Sequence, residues 1–153
     1  MYSPLGWQVT VAKDETICAI SWLDRKSDAT GWIKKRYGKI LQSDLAKELT
    51  LALWDWYLHG GQPPLAETHG TIFQTKVWQG LLQIHQSEFP CYSSFSSQIG
   101  RPEAFRAVGQ AIAANRLPLL IPCHRVGRKN GEIGQYAWGV SRKLTLLQME
   151  GVR

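Results

Sequence analysis

The segment Leu119-Leu120-Ile121-Pro122-Cys123-His124-Arg125-Val126 ends an apolar run with a thiol, an imidazole and a guanidinium in three consecutive positions. The thiolate, not the thiol, is the nucleophilic form of cysteine, and a neighbouring base or cation favours it. Cys123 is therefore a candidate nucleophile and His124 its candidate base. The rival reading is a buried, inert cysteine at a strand end. Successive side chains of an extended segment point to opposite sides. His124 is thus expected to reach the thiol through a bridging water and not directly.

Other pieces stand in order around this segment. They are Phe73-Gln74-Thr75-Lys76-Val77-Trp78, Tyr92, Arg106-Ala107-Val108-Gly109, Asn115, Gly134-Gln135-Tyr136-Ala137-Trp138-Gly139 and Leu146-Leu147-Gln148-Met149-Glu150-Gly151. In this order and at this compact spacing, residues 70 to 151 resemble the O6-alkylguanine-DNA alkyltransferases (methylated-DNA–protein-cysteine methyltransferases), the suicidal DNA repair proteins. Residues 1 to 65 match the family far more weakly.

The resemblance implies a role for each position. Cys123 would be the alkyl acceptor, His124 the base acting through water, and Glu150 the carboxylate that holds the imidazole's other nitrogen. Asn115 would tie the cysteine-bearing turn to the helix before it. Tyr92 would give a proton to the guanine ring at N3. Backbone around Cys123 and Val126 would read the base edge, with Pro118, Tyr136 and Trp138 walling the pocket. Arg106 would fill the stack vacated by a flipped base. Ala107 on the same helix and Arg125 complete the expected DNA contacts. The implied partner is duplex DNA carrying O6-alkylguanine, entered through the minor groove, with O4-alkylthymine left open as a second substrate. No cofactor and no metal is implied, and a monomer is expected. The family carries either glycine or a bulky residue beside Gly139, and here it is Trp138. Phe89-Pro90-Cys91 departs from the family's Val-containing segment and small polar residue. Pro90 lacks an amide donor, so local strand pairing is expected to differ, and Cys91 adds a second thiol near the site.

Composition agrees with a polyanionic partner. The chain of 153 residues carries a net charge of +6, and the whole excess lies in one part. Residues 1 to 100 hold nine basic and nine acidic residues, while residues 101 to 153 hold nine basic and three acidic ones. A confined basic excess suits phosphate binding by counterion release, although a solvated basic face would have the same composition. Three cysteines, Cys18, Cys91 and Cys123, are no disulfide framework. No Cys-x-x-Cys pair suggests zinc, and the one long-range metal set left open is Cys18 with His59 and His69. No apolar run approaches the roughly 20 residues that span a bilayer. The first ten residues lack the pattern of a signal peptide. The expectation is an intracellular protein, cytoplasmic or nuclear.

The positioning elements follow from periodicity and punctuation. Trp7 to Ala12 and Ile17 to Trp22 read as strands joined by a turn at Lys13-Asp14-Glu15-Thr16. Residues 24 to 40 are polar, with a candidate strand around Trp32-Ile33. Ser43 would cap a helix with Leu45, Leu49, Ala52, Leu53 and Trp56 inward, and Gly60 to Pro64 would break it. A helix over 73–86 with Phe73, Val77, Leu81 and Ile84 inward opens the second part. Short helices over 94–99 and from Pro102 to Ala114 would make a helix-turn-helix about Gly100-Arg101-Pro102. The second of these is rich in Ala and Gly, which allows close approach to a groove and equally allows tight helix packing. Leu119 to Ile121 would be a short buried strand or extended run, and Ser141 would cap a last helix with Leu144, Leu146 and Leu147 inward. The fold class is α+β. A ribonuclease H-like sheet-plus-helix support domain over 1–65 would precede a mostly helical, winged-helix-like reaction domain over 66–153.

Three alternatives remain at this point: a binding-only sensor of alkylated bases, a helix-turn-helix regulator without chemistry, and a cysteine hydrolase that turns over. The first would lack the acceptor cysteine. The second leaves Cys123, His124, Glu150 and Tyr92 without purpose. The third needs a deacylating water and an oxyanion hole that the motif does not advertise.

Overall fold

In the computed structural model, which describes residues 1–38 and 43–153, a short β1 (Tyr2–Ser3), β2 (Gly6–Lys13) and β3 (Thr16–Leu23) form an antiparallel sheet in that order. The tip residues Asp14 and Glu15 take φ of 47° and 63°, the left-handed pair that matches a two-residue turn to right-twisted strands. After β3 comes α1 (Asp28–Tyr37), which replaces the strand expected around Trp32-Ile33. Asp28 in its first turn and Lys34, Lys35 and Arg36 in its last complement the helix dipole. The Arg36 guanidinium also sits 5.1 Å from the Trp32 ring centroid, one turn away. The last two positions of the polar stretch 24–40 lie outside the described residues.

Ser43 caps α2 (Asp44–His59) through a bond from the Leu45 amide. The helix buries Thr50, Leu53, Trp54 and Tyr57. Of the expected stripe Leu45, Leu49, Ala52, Leu53 and Trp56 only Leu53 is buried; Leu45, Leu49 and Trp56 are half-buried and Ala52 is exposed. Polar anchors decide the rotation: Trp54 Nε1 donates to Gln8 Oε1 at 2.7 Å, and the Thr10 and Thr50 hydroxyls meet at 2.6 Å. The segment after α2 then runs beside β3, where Ile17 exchanges backbone bonds with Leu65 and Glu67. The chain divides into two compact units, Met1–Thr68 and His69–Arg153. Its class is α+β.

The second unit begins with α3 (Ile72–Leu81), opened by a full capping box between Thr71 and Gln74. It stops five residues short of the expected end, and a turn carries Ile84 back into the core. Val77, Leu81 and Ile84 are buried as expected, while Phe73 is half-buried. Next come α4 (Tyr92–Gln98), a turn at Gly100 with φ of 70°, a 3-10 turn at Pro102–Ala104, and α5 (Phe105–Ala113). Gly80 lets α4 settle on α3, since a Cβ there would meet Ile99 at 2.5 Å. The last element is α6 (Val140–Met149), which starts from Gly139 and not from Ser141. It buries Lys143, Leu146 and Leu147, and Leu144 is only half-buried.

Pro90 does not disturb strand pairing. Its carbonyl accepts from the Gly127 amide at 3.0 Å, and the Tyr92 amide donates to the Gly127 carbonyl at 2.9 Å. The pairing never calls on the donor that proline lacks. No helix among the described residues is long and apolar enough to cross a membrane.

Candidate active site

The strand expected at Leu119–Ile121 is absent; the segment is a turn, with buried Leu119 at φ of 74°. Asn115 takes over the backbone groups that a partner strand would have satisfied. Its Oδ1 accepts from the Leu117 amide at 2.9 Å, and its Nδ2 donates to the Ile121 carbonyl at 2.9 Å. Pro118 and Pro122, which carry no amide hydrogen, suit the turn. The same Nδ2 lies 3.1 Å from Cys123 Sγ. Asn115 thus links the end of α5 directly to the sulfur.

Cys123–Arg125 is a 3-10 turn and not an extended segment. Its three side chains fan apart by about a third of a turn each. Cys123 is 3% exposed. Burial pushes its thiol up, while bonds from Asn115 and Tyr136 and the charge of Lys143 act in the opposite direction. His124 is fully buried, and its Nε2 meets Glu150 Oε1 at 2.9 Å. Burial lowers the imidazole's pKa more than Glu150 raises it, so the ring is neutral and able to accept a proton. The Glu150 side chain is 2% exposed, far from the solvated terminus its position suggests. Burial works to raise its carboxyl, but hydrogen bonds from His124 and Arg125 and the Arg125 charge prevail and hold it at about 2.

Arg125 is a correction. It was expected on DNA, yet its fork is engaged inside the protein. Nε and NH2 donate to the two Glu150 oxygens at 3.0 and 2.9 Å, and NH1 donates to the Ile84 carbonyl at 2.6 Å. A bidentate carboxylate pair plus a carbonyl takes three of that group's five N–H donors, and the side chain is only 12% exposed. Arg125 instead braces Glu150, and through it His124, against the turn that follows α3.

Cys123 opens onto a cavity of about 240 Å³. Its walls are Tyr92, then Gly109, Ile112 and Ala113 of α5, then Gln135, Tyr136, Ala137 and Trp138 of the loop before α6. Tyr136 and Trp138 pack edge to face with centroids 5.2 Å apart. Pro118 and Val126, expected in the pocket, are buried and do not line it. The Val126 carbonyl accepts from Lys143 Nζ at 2.6 Å, which uses one of its two lone pairs. Tyr92 is a neutral phenol at ordinary pH: burial, then the charge of Cys123, raise it, against Arg128. Arg106 and Ala107 stand exposed on α5, next to exposed Phe105 and Gln110.

Lys143 is a site residue that sequence reasoning missed. It is fully buried, and its pKa is pulled by burial to about 8, against the Cys123 charge. The available signal was its register, since positions 143, 146, 147 and 150 share one face of α6. Cys91 is the second thiol, lying 3.2 and 3.4 Å from the hydroxyls of Ser93 and Ser94, which lower its pKa to about 7. Among the described residues no three His, Cys, Asp or Glu side chains converge as a metal set, so Cys18, His59 and His69 form none.

A buried thiol at the floor of an open pocket, walled by the second helix of a helix-turn-helix, defines a cysteine-nucleophile protein built on a nucleic-acid-binding scaffold. The chain belongs to the 6-O-methylguanine DNA methyltransferase family, whose DNA-binding domain model matches residues 72–152. It is 49% identical over 84 residues to the Escherichia coli bifunctional transcriptional activator/DNA repair enzyme Ada, covering 55% of this chain and 24% of that one. A Mycobacterium leprae methylated-DNA–protein-cysteine methyltransferase is 46% identical over 81 residues, covering 53% and 49% of the two chains. The chain spans less than half the length of these curated relatives. Among solved structures, Mycobacterium tuberculosis OGT in complex with DNA superposes with a TM-score of 0.80 at 28% identity, over 98% of this chain and 89% of that one.

Proposed function

We propose that this protein repairs DNA by moving an alkyl group, chiefly methyl, from O6 of guanine in duplex DNA to Cys123, once per molecule. The observation that carries the reading is the floor of the cavity. There the one thiol that reaches the pocket is bonded by Asn115, and His124 on the same turn is paired with buried Glu150 at the end of α6. A regulator without chemistry has no use for that arrangement, and a binding-only sensor has no use for the sulfur.

The chemistry follows from the groups present. His124, neutral and held by Glu150, takes the thiol proton through a bridging water. The thiolate attacks the alkyl carbon, the S–C bond forms, and the C–O6 bond breaks with its electron pair left on the purine. Tyr92, a protonated phenol on the cavity wall, supplies a proton to the purine at N3. The thioether product has no leaving group that water could displace, so each chain acts once. Tyr136 and Trp138 wall the base, and Asn115 steadies the sulfur.

Inside a duplex the reacting atom is hidden in the stack, so the base must be turned out. The exposed Arg106 is the group for the vacated place, because a planar guanidinium stacks on bases and pairs with them. Ala107, Gly109 and the other small residues of α5 let the helix lie close in the minor groove. Residues 66–153 carry out both tasks, residues 1–65 support them, and the protein works inside the cell as a monomer. Transfer of labelled methyl from a modified duplex to the protein tests the whole reading; label that stays on DNA, or that passes to water through many turnovers, overturns it.

Arg106→Ala is expected to slow transfer from duplex DNA by tenfold or more and to leave transfer from the free modified base nearly unchanged. Arg106→Lys should rescue only in part, since an ammonium cannot stack. Rapid-quench rates on the two substrates check this. An equal loss on both would reduce Arg106 to a structural role.

Pocket size depends on Trp138. Its indole is packed on Tyr136 at the wall and occupies volume that a large alkyl group needs. Overpacking costs roughly 1–3 kcal/mol, about one to two decades in rate when expressed in the transition state. Methyl should therefore be preferred to benzyl, and Trp138→Gly should speed benzyl transfer selectively. Parallel movement of the methyl and benzyl rates would remove the gate.

A further inference from the structure

Phe105 is a large apolar side chain left in water. Among the described residues every other phenylalanine and every tryptophan is buried or half-buried, yet Phe105 is 46% exposed. It opens α5 directly before Arg106. The other exposed residues of α5 are Arg106, Ala107, Gln110 and Ala113. The ring is thus the one bulky apolar group on a surface otherwise small or polar.

Its register places it at the edge of the pocket. Positions 105, 109, 112 and 113 share one face of a helix, and Gly109, Ile112 and Ala113 wall the cavity over Cys123. Phe105 stands one turn before Gly109, about 6 Å along the axis. The space in front of Gly109 is open, since a Cβ there would meet no atom within 4 Å. Helical side chains lean towards the helix N-terminus. The ring therefore leans away from the cavity, which it does not line. It is no platform for a base already in the pocket, and stands instead at the outer edge beside Arg106.

Charge decides which partner meets the ring. Arg101, Arg106 and Arg116, which lie before, on and after α5, are exposed and make no ion pair among the described residues. An apolar ring among unpaired guanidiniums suits a partner that offers both phosphates and flat apolar faces, which is nucleic acid.

We propose that Phe105 is an apolar wedge that enters the minor groove beside Arg106 and unstacks the base step next to the flipped alkylguanine. Apolar side chains inserted between base steps from the minor groove partly unstack them. Arg106 fills the place that the base leaves, and Phe105 holds the neighbouring step open. The proposal rests on the repair reading for its substrate.

The first test uses duplexes with 2-aminopurine on one or the other side of O6-methylguanine, and protein carrying Cys123→Ala so that no transfer occurs. 2-Aminopurine brightens when it leaves the stack. Saturating protein should raise its fluorescence severalfold on one side. Adding Phe105→Ala should remove most of the rise, while Phe105→Leu, still an apolar wedge, should keep much of it. No rise with Phe105 present, or a rise that Phe105→Ala leaves intact, overturns the proposal. The second test restores Cys123. Phe105→Ala should slow methyl transfer from the duplex about tenfold, within what base–aromatic stacking supplies, and leave transfer from the free modified base nearly unchanged. The free-base rate reports a folded pocket. An equal loss on both substrates, or no loss on the duplex, overturns the proposal. Where Phe105→Ala does not fold, Phe105→Gln decides both tests, since it favours helix and has no apolar face to insert. A parent that moves no methyl to Cys123 refutes the repair reading. A parent that does so without dependence on Phe105 refutes the wedge alone.

Discussion

Incubated with an excess of duplex DNA carrying labelled O6-methylguanine, the protein is expected to take up one methyl group per chain and then stop. The label should map to the peptide bearing Cys123, and Cys123→Ala should abolish uptake. The expectation is not trivial, because Cys91 is the more acidic thiol and is accessible, with its pKa lowered to about 7 by Ser93 and Ser94. A small electrophile in solution would find Cys91 first. A base delivered by DNA meets Cys123 instead, since that sulfur and not the Cys91 sulfur lines the cavity. Selection is thus made by proximity and orientation, which outweigh intrinsic thiol acidity by several orders of magnitude. Mass spectrometry of the digested product reads both stoichiometry and position. Methyl on Cys91, or several turnovers per chain, would refute the mechanism.

Glu150→Gln is expected to remove about 3 kcal/mol of stability near neutral pH. The carboxyl falls from an ordinary value of 4.5 to about 2 in the folded chain, which corresponds to that magnitude by linkage. A broken buried ion pair gives a similar figure, since Arg125 and His124 would lose their shared partner. The sign follows from the depressed value: the contribution is full above about pH 5 and fades as pH falls from there towards 2. The parent should therefore lose stability steeply over that acid range, while Glu150→Gln should be weaker at neutral pH and show a flatter acid response. Urea unfolding at pH 7 and at pH 3 measures both. Equal stability of parent and variant at pH 7 would mean that the Arg125 and His124 bonds contribute nothing net. Glu150→Gln should also slow methyl transfer, because His124 loses the group that orients it.

Much of the architecture follows from local chemistry. The hairpin of β2 and β3 was readable because alternating apolar runs flank two residues able to adopt positive φ. The capping box of α3 and the Gly100 turn are local signals, and local signals survive folding. The strand expected at Trp32-Ile33 failed for a comparable reason. Those residues belong to a helix with no buried residue, supported by end charges and a one-turn cation–π contact, which an apolar periodicity does not register.

The site divides in the same way. Cys123 and His124 could be named from residue type and order, since a thiol beside a base carries its chemistry in its identity, whereas Asn115, Tyr92, Tyr136 and Trp138 were named through the resemblance to the family. Which groups face the pocket was decided only by tertiary packing. Arg125 reads as a DNA contact until the end of α6 places a carboxylate against it. Lys143 itself reads as a solvated helix lysine, because burial of an ammonium depends on Phe89, Gly127 and Cys123, which lie 54, 16 and 20 positions away in the chain. The amino-acid order therefore determined which reactive groups this protein owns and which short elements carry them. The tertiary structure alone decided their charge states and directions, because desolvation and pairing are properties of groups brought together across the chain and not of any one segment.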